Sequence, residues 1–330
     1  MNFKEEILNL KNELDVTIVA HYYQKDEVFE LADIVGDSLE LAKKAISTQH
    51  KNIIFCGVGF MGESVKVLAP EKRVLMPKIA CCAMAKMIDV DYFNANLKIL
   101  NDAGLSNNDI LPITYINSSA AVKAAVGKMG GYVCTSANAF KIIEKGLTSG
   151  KKIFFVPDRC LGQNFAKQIG LKSAVVGIDN IEVVMQADII CFNGFCSVHQ
   201  LFTVEDIEFF RNKYPGIIIA VHPECDPSIV EKSDFVGSTS QLINFITKEL
   251  DPEQKVAVGT EYNMVNRLRP KNTYVLSSTK PECPTMNETT LEDLYNSLLS
   301  IKNETFANEI FVNDETVKYA RIALERMFEV

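Results

Sequence analysis

VTIVAHYYQ, residues 16–24, is an apolar run rich in β-branched residues that breaks off at a histidine and two tyrosines. Such a run suits a strand buried on both faces, with polar side chains only where the chain leaves the sheet. The outline returns as LPITYINSS at 111–119 and as GIIIAVHPE at 216–224. After each copy, short apolar runs alternate with amphipathic helical stretches, the pattern of parallel strands joined by crossover helices. The first series continues ADIVGDSLELAKKA, KNIIFCGVGFMGESVKVL, RVLMPKIACCAMAKM. The second continues GGYVCTSANAFKII, KIFFVPDRCLGQNFA, ADIICFNGFCSVHQLF, and the third SDFVGSTSQLINFI, KVAVGTEYNMVNRL, NTYVLSSTKPECPTM.

Aligned in this way, the first strand of each series ends in His21, Tyr115 or His222. The second leads into a helix past Ser38, Ser136 or Ser238, and the fourth ends at a turn carrying Cys82, Cys196 or Cys283. The histidine-to-cysteine spacing is 61 residues in series one and three, and the Tyr115-to-Cys196 spacing is 81 in series two. The stretch LKSAVVGIDNIEVVMQ (171–186) accounts for the difference. Cys81, beside Cys82, is expected to be a strand-end packing residue, as are Cys56, Cys134 and Cys191.

The expected fold is α/β: three similar three-layer α/β/α domains with small parallel sheets around a pseudo-threefold axis. Their spans are 1–88, 89–200 and 201–301, followed by a tail and helix at 302–330, with helix 313–329 packed on the first domain. Ligands of open parallel sheets bind beyond the carboxyl ends of the strands, so three such ends can face one central cavity.

Composition narrows the function. The chain has 330 residues, a net charge of −8, 47% hydrophobic and 23% charged residues. No basic field or Lys/Arg run offers a nucleic-acid surface, and no apolar run has the length of a membrane span. The opening MNFKEEILNLKNELD reads as a charged amphipathic helix without the apolar stretch of a signal peptide, which points to the cytoplasm. Nine cysteines without a C-x-x-C pair argue against a disulfide framework, a zinc ribbon or a ferredoxin run.

Three converging thiolates would hold one metal or three irons of a cluster. Zinc would take a fourth ligand, for which His199 is the nearest candidate. A 4Fe-4S cluster on three cysteines would leave one iron open as a Lewis acid. Serines where helices follow strands suit anions such as carboxylate and phosphate. His222 and Glu224 stand two apart on one strand end, facing the same side as an acid/base pair would. His21 and Tyr23, and Tyr115 and Asn117, repeat that spacing. GVGFMG (57–62) matches a dinucleotide fingerprint, but the next strand lacks the ribose-binding acid and the other two series do not keep the glycines. Those glycines are expected to bring backbone close to the cavity, with Phe60 and Met61 in its wall.

With AHYYQ, VGDSLELA, FMGES, CAMA, YINSSAAVKA, CTSANA, GFCSVHQ, VHPEC, VGSTSQL, GTE and CPTM in this order, the chain resembles the quinolinate synthase family along its whole length. The resemblance implies a 4Fe-4S cluster on Cys82, Cys196 and Cys283. It implies condensation of iminosuccinate (iminoaspartate) with dihydroxyacetone phosphate to quinolinate, a step of NAD biosynthesis that releases phosphate and two waters. Substrate contacts carried over are His21, Ser38, Tyr115, Asn117, Ser136, His222, Glu224 and Thr239, with Tyr23 and Ser238 close by. Glu224 is the first choice for proton transfer, assisted by His222, Tyr23 or His21. A transient contact with L-aspartate oxidase or another imine-producing enzyme would supply the substrate. Two other classes remain open on the residues alone: a redox sensor or cluster carrier, and a structural-zinc protein with a nucleotide site at GVGFMG.

Overall fold

The computed structural model describes residues 2–329, and among them thirteen strands form three all-parallel sheets. The first holds β1 (Val16–His21), β2 (Ile34–Gly36), β3 (Asn52–Cys56) and β4 (Arg73–Leu75), in the order β2-β1-β3-β4. The second holds β5 (Ile110–Tyr115), β6 (Tyr132–Cys134), β7 (Lys152–Val156), β8 (Ser173–Val175) and β9 (Ile189–Cys191), ordered β6-β5-β7-β9-β8. The third holds β10 (Ile218–Val221), β11 (Phe235–Val236), β12 (Val256–Gly259) and β13 (Thr273–Val275), ordered β11-β10-β12-β13.

Each sheet thus places its first and third strands side by side, with their crossovers leaving in opposite directions. The loops diverge at that point and leave a crevice at the carboxyl ends. The sheets are covered on both faces. Ile18, Ala20 and Ile54 pack against Ile7 and Leu10 of helix Phe3–Glu13, while Val19, Ile53 and Phe55 join the larger core on the other side with Leu41 and Ala45. This alternation within one apolar run is the period of two expected of a doubly buried strand.

Two features differ from the sequence-based expectation, and the insertion in the second unit has a structure of its own. It forms β8, an added edge strand beyond β9, and the short helix Ile181–Gln186. Its apolar SAV segment pairs with β9, whose free edge would otherwise be exposed. Helix Leu291–Lys302 falls inside the span assigned to the third domain. Its Leu294, Leu298 and Ile301 nevertheless pack with Ile7 and Leu10 on the first sheet.

The last helix, Asp314–Arg326, lies chiefly against Ala120–Lys128 of the second unit and also meets Gly59–Leu68 of the first. Gly127 permits that approach, since a Cβ there would collide with the Tyr319 carbonyl oxygen. Between these two helices the chain crosses the edge of the first sheet, where Ile310 N donates to Val74 O at 2.8 Å. No helix of the described residues is long and apolar enough to cross a membrane.

Candidate active site

A cavity opens at the carboxyl ends of all three sheets. Of the residues expected there, His21, Tyr23, Ser38, Tyr115, Asn117, Ser136, His222, Glu224, Thr239, Cys82, Cys196 and Cys283 line it, as do Phe60 and Met61. Ser238 does not. It is fully buried as the N-cap of helix Thr239–Asn244, in a reciprocal box with Gln241, so its hydroxyl is spent on the helix end. Asp37 fills the corresponding cap before Ser38, and it also accepts from Ser240 of the third unit at 2.5 Å. Cys81 is exposed rather than packed, and Cys82 turns inward at the start of helix Ala83–Lys86. Adjacent residues point apart, so only one of the pair can reach the cavity. Cys56, Cys134 and Cys191 are buried in the core as expected.

The repeat persists to individual atoms. Tyr23 N donates to His21 Nδ1 at 3.1 Å, and Glu224 N donates to His222 Nδ1 at 3.3 Å. In both rings Nδ1 is therefore the acceptor, and the proton of the neutral form sits on Nε2. For His222, Nε2–H points at Ser136 Oγ, 3.2 Å away. Burial pulls His21 down to about 4 and His222 down to about 3, so both are neutral at pH 7.

Glu224 joins the strand ends. Its Oε1 accepts from Tyr115 OH at 2.5 Å, and its Oε2 faces His199 Nδ1 at 3.1 Å. Burial opposes ionisation of Glu224, but the facing histidines and the hydrogen bonds from His199 and Tyr115 outweigh it and hold the carboxyl below its ordinary range. Beyond it, His199 Nε2 meets Thr260 Oγ1 at 3.0 Å, Thr260 Oγ1 meets Tyr23 OH at 2.9 Å, and Tyr23 OH meets Thr239 Oγ1 at 2.9 Å. With Nδ1–H given to the carboxylate, neutral His199 accepts from Thr260, which accepts from Tyr23. Protonation at Nε2 reverses every donor in that line. Burial, with Glu224 nearby, raises the phenols of Tyr23 and Tyr115 well above their usual range, so both are donors at neutral pH.

His199 and Thr260 were not assigned these places from sequence. His199 was weighed only as a zinc ligand, and both of its nitrogens are occupied by Glu224 and Thr260. Thr260 lies in the GTE segment, where only its position at a strand end hinted at a role. Its neighbour Glu261, fully buried, accepts the backbone N–H groups of Asn263, Met264 and Cys283 at 2.8, 3.3 and 3.3 Å, fixing the third cysteine's loop. The glycines of GVGFMG serve packing: added Cβ atoms would press on Phe55 and Met61 at Gly57 and on Met76 at Gly62.

Each of the three cavity cysteines has its thiol raised, first by burial, and Cys82, Cys196 and Cys283 disfavour one another's ionisation. Such a trio becomes a set of thiolates only around compensating positive charge. The one group of possible metal ligands whose donor atoms all lie within 4.8 Å, among the described residues, is Cys196, His199 and Glu224. At least one pair of the three sulfurs is thus more than 4.8 Å apart, wider than the ~3.8 Å implied by zinc–sulfur bonds in a tetrahedron. A larger, multi-metal group fits them better than a single ion. Asn117 Oδ1, at the cavity, has no partner of its own and is left for a ligand's donor.

The two neutral histidines make stability depend on pH. Their folded pKa values lie below the unfolded value of about 6.5, so below that pH the unfolded chain binds more protons and stability falls as pH falls. Between pH 6.5 and 4 each histidine is expected to cost about 1.4 kcal/mol per pH unit. Denaturant titrations at pH 7 and pH 5 read this directly, and His21→Asn should flatten the profile. An unchanged slope in that variant would contradict a neutral, buried His21.

Three parallel-sheet units, a shared cavity crossed by a line of hydrogen-bonded side chains, and three buried thiols at its wall make an α/β protein with a candidate active site that offers both acid/base groups and possible metal ligands. The family model described as Quinolinate synthetase A protein matches residues 5–329. A quinolinate synthase of Helicobacter pylori (strain HPAG1) is 55% identical over 333 residues, spanning 100% of this chain and 98% of the relative. Quinolinate synthases of Acidobacterium capsulatum and Streptomyces coelicolor are 40% and 37% identical, across 95% and 94% of this chain and 88% and 84% of theirs. The chain belongs to the quinolinate synthetase A family.

Proposed function

We propose that this enzyme condenses iminosuccinate with dihydroxyacetone phosphate to quinolinate, releasing phosphate and two waters, with a 4Fe-4S cluster held by Cys82, Cys196 and Cys283. The observation that carries the reading is the meeting of those cysteines with the Glu224–His199–Thr260–Tyr23 line in one cavity. When bound through three thiolates, such a cluster supplies a Lewis-acidic iron for a substrate carboxylate, nitrogen or leaving hydroxyl.

The side chains supply the rest. Forming the pyridine ring requires protons to leave carbon and nitrogen and to reach departing oxygens. A chain that works in either direction suits both tasks. Tyr23, His199 and Glu224 of this line all stand at the cavity, with Tyr23 OH the proposed donor to substrate and His199 Nε2 the proposed resting place of the proton. Glu224 orients His199 through Nδ1–H, as the carboxylate of a hydrolase triad does. This shifts the part first given to Glu224, direct proton transfer, toward His199. Tyr115 OH and His222 Nε2–H give their protons to Glu224 Oε1 and Ser136 Oγ, which leaves the Ser136 hydroxyl as the donor this side of the cavity offers to a substrate oxygen. Ser38, Thr239 and the amide of Asn117 offer further contacts for carboxylate and phosphate. The cytoplasm, where such an enzyme would meet an imine-producing oxidase such as L-aspartate oxidase, is the setting this chemistry suits.

The test is quinolinate formation from the two substrates by protein reconstituted anaerobically with iron and sulfide. Stoichiometric phosphate release with quinolinate is expected. Reconstituted protein that releases phosphate without quinolinate, or neither, would overturn the assignment.

A further inference from the structure

Tyr23, Asn117 and Glu224 occupy equivalent places, two residues beyond the last histidine or tyrosine of their strands. Each sits in a loop whose carbonyls are gripped by one side chain. Arg267 donates from Nη1 to Gln24 O at 3.0 Å and from Nη2 to Tyr22 O, the carbonyls on either side of Tyr23. Lys123 donates from Nζ to Ile116 O at 2.8 Å and to Ser118 O, on either side of Asn117. Asn164 donates from Nδ2 to Pro223 O at 2.9 Å and Cys225 O at 2.8 Å, on either side of Glu224.

Two of these grips cross between units by one rule. Asn164 and Arg267 are each the sixth residue of the helix after their unit's third strand, Arg159–Gln168 and Tyr262–Arg267. Asn164 reaches from the second unit to the third, and Arg267 from the third to the first. The sixth residue of the matching helix in the first unit is Ser64, whose hydroxyl is turned to Phe60 O. There Glu63 crosses instead, accepting Ala120 N at 2.7 Å, and the buried Lys123 takes the carbonyls.

These side chains are costly to bury for packing alone. Lys123 is fully buried without a carboxylate at hydrogen-bond distance, its ammonium lying over the Phe60 ring at 5.3 Å. Asn164 keeps Oδ1 without a partner, because a reversed amide would set oxygen against two carbonyl oxygens. Holding the carbonyls before and after a residue fixes the direction of its Cα–Cβ bond.

We propose that Arg267, Lys123 and Asn164 are positioning residues that aim Tyr23, Asn117 and Glu224 into the cavity, one for each unit. The proposal rests on the reading that all three serve the reaction, Tyr23 and Asn117 toward substrate and Glu224 through His199. A displacement of about 1 Å in a reacting group costs about 10²-fold in rate, so losing a grip should show in turnover.

The experiment is a double-mutant cycle of Asn164→Ala with Glu224→Gln on reconstituted enzyme, reading kcat, KM, iron content and thermal midpoint. Asn164→Ala is expected to lower kcat about 10²-fold with each KM within about three-fold of wild type. In the Glu224→Gln background the same change should cost under about three-fold, because there is no carboxylate left to aim. Equal losses in both backgrounds, or wild-type kcat in Asn164→Ala, would overturn the positioning role while leaving the function intact. Wild-type turnover in Glu224→Gln would overturn the underlying reading and the grip with it. If Asn164→Ala does not fold, Arg267→Gln paired with Tyr23→Phe makes the same measurement at a more exposed site. There Arg267→Lys should restore most of the rate, and additive losses or a silent Arg267→Gln would again overturn the proposal.

Discussion

Replacing His199 by alanine is expected to lower kcat by about 10³-fold while the bound iron stays at its wild-type level. Among the described residues the imidazole alone joins the carboxylate of Glu224, at 3.1 Å, to the Thr260 hydroxyl, at 3.0 Å, and through it to Tyr23. Without it the phenol of Tyr23 has no base behind it, and burial raises that phenol well above its usual range. Iron retention separates two readings of the same residue. A zinc ligand replaced by alanine loses metal together with activity, whereas a proton carrier loses activity alone. Thr260→Val sharpens the result, since it removes the hydroxyl at nearly constant volume. A fall of about 10²-fold is expected there. Near-wild-type kcat in both variants would place proton transfer elsewhere in the cavity.

The second large effect concerns adjacent cysteines. Cys82→Ser is expected to abolish stable cluster binding and quinolinate formation, and Cys81→Ser to leave both close to wild type. Cys82 lines the cavity and shares electrostatic repulsion with Cys196 and Cys283, while Cys81 is exposed. Losing one thiolate of three removes a covalent anchor that the serine hydroxyl, a far weaker acid, does not replace at neutral pH. Iron and sulfide analysis with anaerobic absorption spectra of both variants decides it. Cluster loss in Cys81→Ser alone would mean that the segment 77–87 is in the wrong register.

Much of this site was legible because the chain states it three times. His21 and Tyr115 end β1 and β5, and His222 directly follows β10; a strand that runs apolar to its end leaves few other places for polar side chains. Cys82, Cys196 and Cys283 were found by the same register, without any local ligand motif. What the repeat could not supply was any contact between residues that are not equivalent. His199 meets Thr260 through the packing of the second unit on the third, and sequence distance carries no trace of that meeting.

Ser238 was expected near substrate and the structure makes it a helix cap, because a cap and a substrate contact use the same residue in the same place. The grips of Lys123, Asn164 and Arg267 lie inside helices whose amphipathic pattern reports burial but not what a polar side chain reaches. The edge strand β8 hid in the insertion because it is only three residues long, too short for its apolar residues to show a strand's period. Helix Leu291–Lys302 shows a good apolar face, but such a face does not say which sheet it will cover.

The most direct test of the account is the metal content of wild-type protein purified and reconstituted without air. The account predicts iron and acid-labile sulfide in equal amounts, about four of each per chain. Zinc in their place, or a colourless protein that binds neither, would contradict it.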